Sequence, residues 1–172
     1  CGHCSFCQRG VARHCENRTV IGILNHDGAF ADSLFVPEEN LHPVPDHIST
    51  EHAVFTEPVA AACRILEQAD INRDHHVVIL GDGRLGNLCA QVISTTKADV
   101  LVVGKHDWKM QQLNAIGIQT TMLEDFQPAG AADFVVDCTG SPTGFPLSLQ
   151  TVRPCGTVIL KTTVAAEQPL HL

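Results

Sequence analysis

A chain of 172 residues with 44% hydrophobic and 17% charged side chains can build a well-cored soluble domain, and it contains no low-complexity stretch to set aside. Its formal net charge of −8 argues against nucleic acid as a partner, because a phosphate lattice needs a basic face to displace its counterions. Apolar runs fall short of the roughly 18 residues a membrane span requires, and no charged-then-apolar leader precedes Cys1, so no membrane partner and a cytoplasmic location are expected.

Four of the eight cysteines, Cys1, Cys4, Cys7 and Cys15, crowd into the first fifteen residues together with Gly2 and Gly10. Such a segment cannot bury enough apolar surface to hold one shape unaided. Four thiolates at this density suit a closed tetrahedral zinc site, which folds a lobe and leaves no open position for chemistry. Two local disulfides or four unrelated thiols are the alternatives, disfavoured where no secretory signal is seen. His3 and His14 can substitute for a thiolate, although four sulfurs already complete the shell. Cys63, Cys89, Cys138 and Cys155 are scattered among apolar residues and read as small core hydrophobes.

Residues 20–24 and 29–36 form short extended patterns separated by the turn signal Asn25-His26-Asp27-Gly28 and ended by Pro37, Pro43 and Pro45, which predicts small β structure. Ser49 can cap a helix starting at Thr50 or Glu51, and a second helix over residues 59–68 follows Pro58. Beyond Asp74 the rhythm changes. Apolar runs at residues 77–80, 100–103, 134–136 and 157–160, with a weaker one at 118–123, have the length of parallel strands covered on both faces. Helical stretches lie between them: Leu85, Leu88, Cys89, Val92 and Ile93 share one face, as do Met110, Leu113 and Ile116. Strand alternating with helix predicts an α/β fold, a Rossmann-like doubly wound parallel sheet of five strands where six are usual. The chain is expected to divide into residues 1–48 and 49–172.

The first of these strands runs directly into Gly81-Asp82-Gly83-Arg84-Leu85-Gly86 and an amphipathic helix. Strand, glycine turn and helix in that order place backbone amides and the positive helix end where a pyrophosphate can sit. Gly81 permits the turn, Gly83 admits the phosphates and Gly86 lets the helix pack on the strand. The end of the second strand, where an acid would hold the ribose of NAD, instead carries Gly104, Lys105 and His106. Asp99 and Asp107 are poorly placed to serve. Loss of the acid and gain of a cation favour NADP, with NAD the alternative if Lys105 is only a solvated loop residue.

Taken in order, the cysteine run ending at Cys15, then Asp27-Gly28-Ala29-Phe30-Ala31, then Glu57-Pro58-Val59-Ala60-Ala61, then the glycine turn, resembles the zinc-dependent medium-chain alcohol dehydrogenases, nearest to their threonine and sorbitol dehydrogenase branch. The resemblance implies that residues 1–48 are a structural-zinc lobe and part of a GroES-like catalytic domain, and that the later domain binds a nicotinamide cofactor for hydride transfer with an alcohol or polyol. It implies structural zinc on Cys1, Cys4, Cys7 and Cys15. Glu57 corresponds to the acid beside a catalytic zinc; otherwise it is a helix N-terminal carboxylate favoured by the dipole. Within Asp137-Cys138-Thr139-Gly140 it assigns Thr139 and Gly140 to the cofactor, where a plain strand-to-helix turn is the alternative. Homodimers or homotetramers are implied as well. The family's Cys and His ligands of the catalytic zinc have no counterpart here, and the return of the catalytic domain after Leu172 is also lacking, so the chain is expected to be a fragment that does not turn over alone. A quinone or enone reductase without catalytic zinc, or a non-enzymatic cofactor-sensing zinc module, are the rival readings.

Overall fold

A computed structural model describes residues 1–163, and the chain divides into two compact units, Cys1–His47 and Ile48–Leu172. The first unit contains the short helix α1 (Ser5–Gln8) and two 3-10 turns, Ala12–His14 and Glu38–Asn40. Cys15 is its single buried residue, while Ile23, Phe30 and Phe35 are largely exposed. A unit with so little apolar burial cannot offset the entropy of ordering its backbone, and needs a cross-link of another kind.

The β structure expected at residues 20–24 and 29–36 is not formed. Residues 20–24 close on themselves in an isolated antiparallel bridge, Val20 with Leu24, because Gly22 at φ +69° turns the chain and packs against Gly28. A glycine inside a strand pattern signals such a close backbone approach. Residues 29–36 meet no partner strand among the described residues, and extended backbone without a ladder is not a strand.

The second unit begins with α2 (Thr50–Ala53) and α3 (Thr56–Gln68). Ser49 stands at the N-cap of α2 but its hydroxyl engages His52 Nδ1 at 3.1 Å, not a backbone amide. Helix α3 starts three residues earlier than expected, which puts Pro58 in its first turn, where a missing N–H costs nothing. There follow β1 (His76–Leu80), α4 (Arg84–Ser94), β2 (Asp99–Gly104), α5 (Asp107–Ala115), β3 (Gln119–Met122), β4 (Ala132–Asp137), α6 (Gly144–Thr151) and β5 (Val152–Leu160). All five strands are parallel, in the order β3-β2-β1-β4-β5. The unit is therefore the expected α/β sheet, and its strand order reverses at the junction of β1 and β4.

Residues on β1 alternate between two cores. Val77 and Ile79 pack with Ala62 and Ile65 of α3 and with Cys89, Ala90 and Ile93 of α4; Val78 and Leu80 pack on the other face with Val103, Val135 and Leu147. Burial on both faces explains why the strands read as unbroken apolar runs. Two of the scattered cysteines depart from expectation: Cys63 and Cys155 are exposed, Cys63 on the outer side of α3 and Cys155 at φ +60° in the irregular start of edge strand β5. Cys89 is buried as expected and Cys138 partly so.

At the N-terminal end of the sheet, Asp133 ties three strands together. Its Oδ2 accepts the His76 amide at 2.8 Å and its Oδ1 accepts Arg153 Nε at 2.7 Å. Arg153 beside it, and then the His76 amide, hold its carboxyl below the usual aspartate range. A depressed folded-state value means that protons bind the unfolded chain first. This contribution is thus fully present above the ordinary value of about 3.9 and is lost as pH falls through the depressed one. Asp133→Ala is expected to lower stability by about 1 kcal/mol at neutral pH. The difference between the two proteins should shrink in denaturant titrations at progressively lower pH, and a difference that grows on acidification would contradict the assignment.

Candidate functional site

The crevice at the strand-order reversal is built from the C-terminal ends of β1, β2 and β4, the place where open parallel sheets take ligands. A groove of about 270 Å³ lies there, lined by the glycine turn, the β2 end and the β4 end.

The three glycines of the turn differ in what the fold asks of them. Gly81 has φ +111°, and a Cβ on it would stand 2.9 Å from the Cys138 carbonyl oxygen. A Cβ on Gly86 would stand 2.0 Å from the Gly81 carbonyl oxygen. Both must be glycine for α4 to pack where it does. Gly83 is different: its φ is −70° and an added Cβ would meet nothing within 4 Å. Nothing among the described residues requires a glycine there, and the space above it is open. Gly83 is also the N-cap of α4 and has no side chain to satisfy the first-turn amides of Arg84, Leu85 and Gly86, so the N-terminus of the helix keeps its anion-attracting character.

At the β2 end, Asp82 performs a part that the sequence did not reveal. Its carboxylate, 7% exposed, reaches across to the following loop. Oδ2 accepts the Lys105 amide at 2.9 Å, the His106 amide at 2.7 Å and His106 Nδ1 at 2.9 Å. Lys109 Nζ lies 4.0 Å from Oδ1. Burial alone would push this carboxyl up, but the bonds from the His106 ring and the two amides more than offset it and hold the value below normal. Gly104 makes the arrangement possible, since a Cβ there would fall 2.7 Å from that of Asp82. Asp99 and Asp107 are engaged elsewhere, with His76 and Gln111 respectively.

The β4 end is organised by Asp137, which is fully buried. Its Oδ1 accepts the Thr139 amide at 2.9 Å and the Thr139 hydroxyl at 2.8 Å, while Oδ2 has no protein partner among the described residues. The carboxyl group lies against the start of α6, where a Cβ on Gly144 would approach both oxygens at 2.6 Å. Gly140, at φ +61°, donates its amide to Thr162 Oγ1 at 2.6 Å. Cys138 is pushed up by its neighbour Cys89 and by burial, which keeps it a thiol.

Gly81, Asp82, Gly83, Gly104, Lys105, His106 and Thr139 line the groove; Arg84, Leu85 and Gly86 stand behind it in the first turn of α4, and Gly140 lies just outside. Lys109, Ser141, Thr143 and Gly144 also line it, and none of these was singled out from sequence. Glu57 is exposed in the first turn of α3 and does not line the groove.

In the first unit, the sulfurs of Cys1, Cys4, Cys7 and Cys15 all lie within 4.8 Å of one another. Tetrahedral zinc–thiolate bonds of about 2.3 Å require sulfurs roughly 3.8 Å apart, so the donor set fits this ion with little contraction. The Cys7 amide, first among several hydrogen bonds, lowers the Cys4 thiol to about 7.

Residues 1–46 match the alcohol dehydrogenase GroES-like domain. The chain is 26% identical over 168 residues to a sorbitol dehydrogenase of Halalkalibacterium halodurans, covering 91% of this chain and 49% of that protein. It is 30% identical over 155 residues to an L-threonine 3-dehydrogenase of Xanthomonas campestris pv. campestris, covering 84% and 45% respectively. Among solved structures, a zinc-binding dehydrogenase of Sinorhizobium meliloti 1021 bound to NADP superposes with a TM-score of 0.89 at 24% identity, over 100% of this chain and 54% of that one. The chain thus spans about half the length of the curated relatives it matches.

The glycine geometry generates a stability contrast. Gly86→Ala is expected to cost at least about 2 kcal/mol through overpacking, whereas Gly83→Ala costs less than about 1 kcal/mol, the N-cap difference alone. Equal losses in chemical denaturation would contradict the division of roles.

Proposed function

We propose that this chain belongs to the zinc-dependent medium-chain alcohol dehydrogenase family and that its groove binds a nicotinamide dinucleotide for hydride exchange with an alcohol or polyol, a reading supported by the GroES-like match and the dehydrogenase relatives. The observation that carries the reading is the open space over Gly83, a glycine whose absent side chain serves no contact within the chain. The cofactor pyrophosphate sits on the first-turn amides of α4, where unpaired N–H groups and the helix dipole both favour an anion. Its adenosine half extends toward Gly104, Lys105 and His106, and its nicotinamide half toward Thr139 and Gly140. Asp137 holds Thr139 in place through the amide and the hydroxyl.

With no free acid at the β2 end and Lys105 beside it, NADP is preferred to NAD. Cys1, Cys4, Cys7 and Cys15 hold a structural zinc that takes the place of a core in residues 1–47. The binding free energy of such a site is folding free energy. A catalytic zinc, when bound, supplies Lewis acidity toward the alcohol oxygen. Glu57 supplies a carboxylate for its surroundings. Binding of the dinucleotide is the property assigned to these 172 residues. Assembly into homodimers or homotetramers through sheet edges belongs to the same reading.

The test combines metal analysis with calorimetry. One zinc per chain is expected, lost in Cys15→Ser, together with NADP binding tighter than NAD by about tenfold and weakened by at least about tenfold in Gly83→Val. Equal affinities for the two dinucleotides would remove the role given to Lys105, and failure to bind either would overturn the cofactor reading.

A further inference from the structure

The groove contains a carboxylate, Asp82, at the very end where dinucleotide folds use an acid to grip the ribose diol. Two assignments compete for it. Either Asp82 is that ribose acceptor, supplied from the glycine turn instead of from β2, or it serves another purpose. Its hydrogen bonds decide between them. Oδ2 already receives three donors at 2.9 Å or less, and Oδ1 faces His106 Nδ1 at 3.0 Å and Lys109 Nζ at 4.0 Å. Oδ2 has its lone pairs committed to the protein and the carboxylate has its back to Gly104, so a bidentate grip on two hydroxyls through both oxygens is closed to it.

We propose that Asp82 is a positioning residue that sets cofactor specificity, gathering Lys105, His106 and Lys109 into a cationic rim that takes a phosphomonoester on the adenosine ribose. The inference rests on the dinucleotide reading and goes further in naming the device. Asp82 binds the Lys105 and His106 amides and so fixes the path of the loop from which both side chains project. It also holds the His106 ring through Nδ1, and its Oδ1, 4.0 Å from Lys109 Nζ, draws that lysine in from the first turn of α5. Lys109 is further held over the face of Trp108 at 5.4 Å from the ring centroid. Two lysines against one buried carboxylate leave the rim net positive, with the His106 ring held beside them. Two point charges on an ordered loop compensate for the lack of an arginine fork. The device explains two sequence features at once: an acid after Gly81, and a glycine at position 104, where a side chain would collide with that acid.

The test compares adenosine 2′,5′-bisphosphate with adenosine 5′-monophosphate by calorimetry on the zinc-loaded chain. The native protein should prefer the bisphosphate by about tenfold, the worth of one charge-assisted contact. Asp82→Asn should reduce that ratio by roughly threefold to tenfold, because a disordered rim binds less well. Simple electrostatics predicts the opposite, since removing a negative charge beside a phosphate would raise the ratio. Lys109→Gln, a change on a half-exposed helix position, should also lower the ratio and keeps the test alive should Asp82→Asn fail to fold. An unchanged or raised ratio in Asp82→Asn, an unchanged ratio in Lys109→Gln, or an equal loss of both ligands in Asp82→Asn as expected of a ribose acceptor, would each overturn the proposal. Native protein that binds both ligands equally would overturn this inference alone, while binding of neither would overturn the dinucleotide reading with it.

Discussion

The contact on which the rest of the site depends is backbone against backbone: the carbonyl of Gly81 lies where a side chain on Gly86 would have to be, 2.0 Å from its ideal Cβ. This approach brings the first turn of α4 down onto the end of β1 and points its amides into the crevice between β1 and β4. The Gly81 amide donates to the Val103 carbonyl at 2.8 Å, so the chain leaves β1 leaning toward β2, and the next side chain, Asp82, meets the loop after Gly104. The set of amides facing the crevice and the path of the β2 loop are therefore consequences of one turn. A larger residue at position 86 would disturb both.

The two units are held by different forces. Residues 48–163 surround their sheet with two apolar cores, one on each face, and the hydrophobic effect is sufficient to account for their order. Residues 1–47 bury one side chain, and that side chain is Cys15. There four sulfurs lie within 4.8 Å of one another where a core would otherwise be, and under the proposed reading a metal held by them would supply the stability that burial does not. The same acidic, apolar-average composition conceals this contrast, which appears only when burial is followed along the chain.

Much of the second unit could be read from the order of residues. Strands buried on both faces produce apolar runs, and the helices between them carry a one-sided stripe, so β1, β2, β4 and α4 follow from pattern alone. The glycine turn was legible because strand, turn and helix occur in sequence. The first unit resisted the same reading. Residues 20–24 have β-like composition, but Gly22 folds them back, and residues 29–36 lack a partner among the described residues. Asp82 was recognised as a member of the turn and not as the organiser of the β2 loop, because its partners lie 23 and 24 positions away. The one available signal was the pairing of that acid with Gly104, where a side chain is missing to make room. Cys63 and Cys155 were misjudged because apolar neighbours in sequence do not guarantee an inward-facing position on a helix or an irregular edge strand.

The most direct measurement is amide chemical-shift mapping of isotopically labelled chain during titration with NADP. Backbone amides that cradle a pyrophosphate must be the ones whose resonances move most, so the largest changes are expected at Gly83, Arg84, Leu85 and Gly86. Saturable binding that left those four amides unmoved, with the shifts confined to other parts of the chain, would contradict the assignment of the glycine turn as the phosphate site.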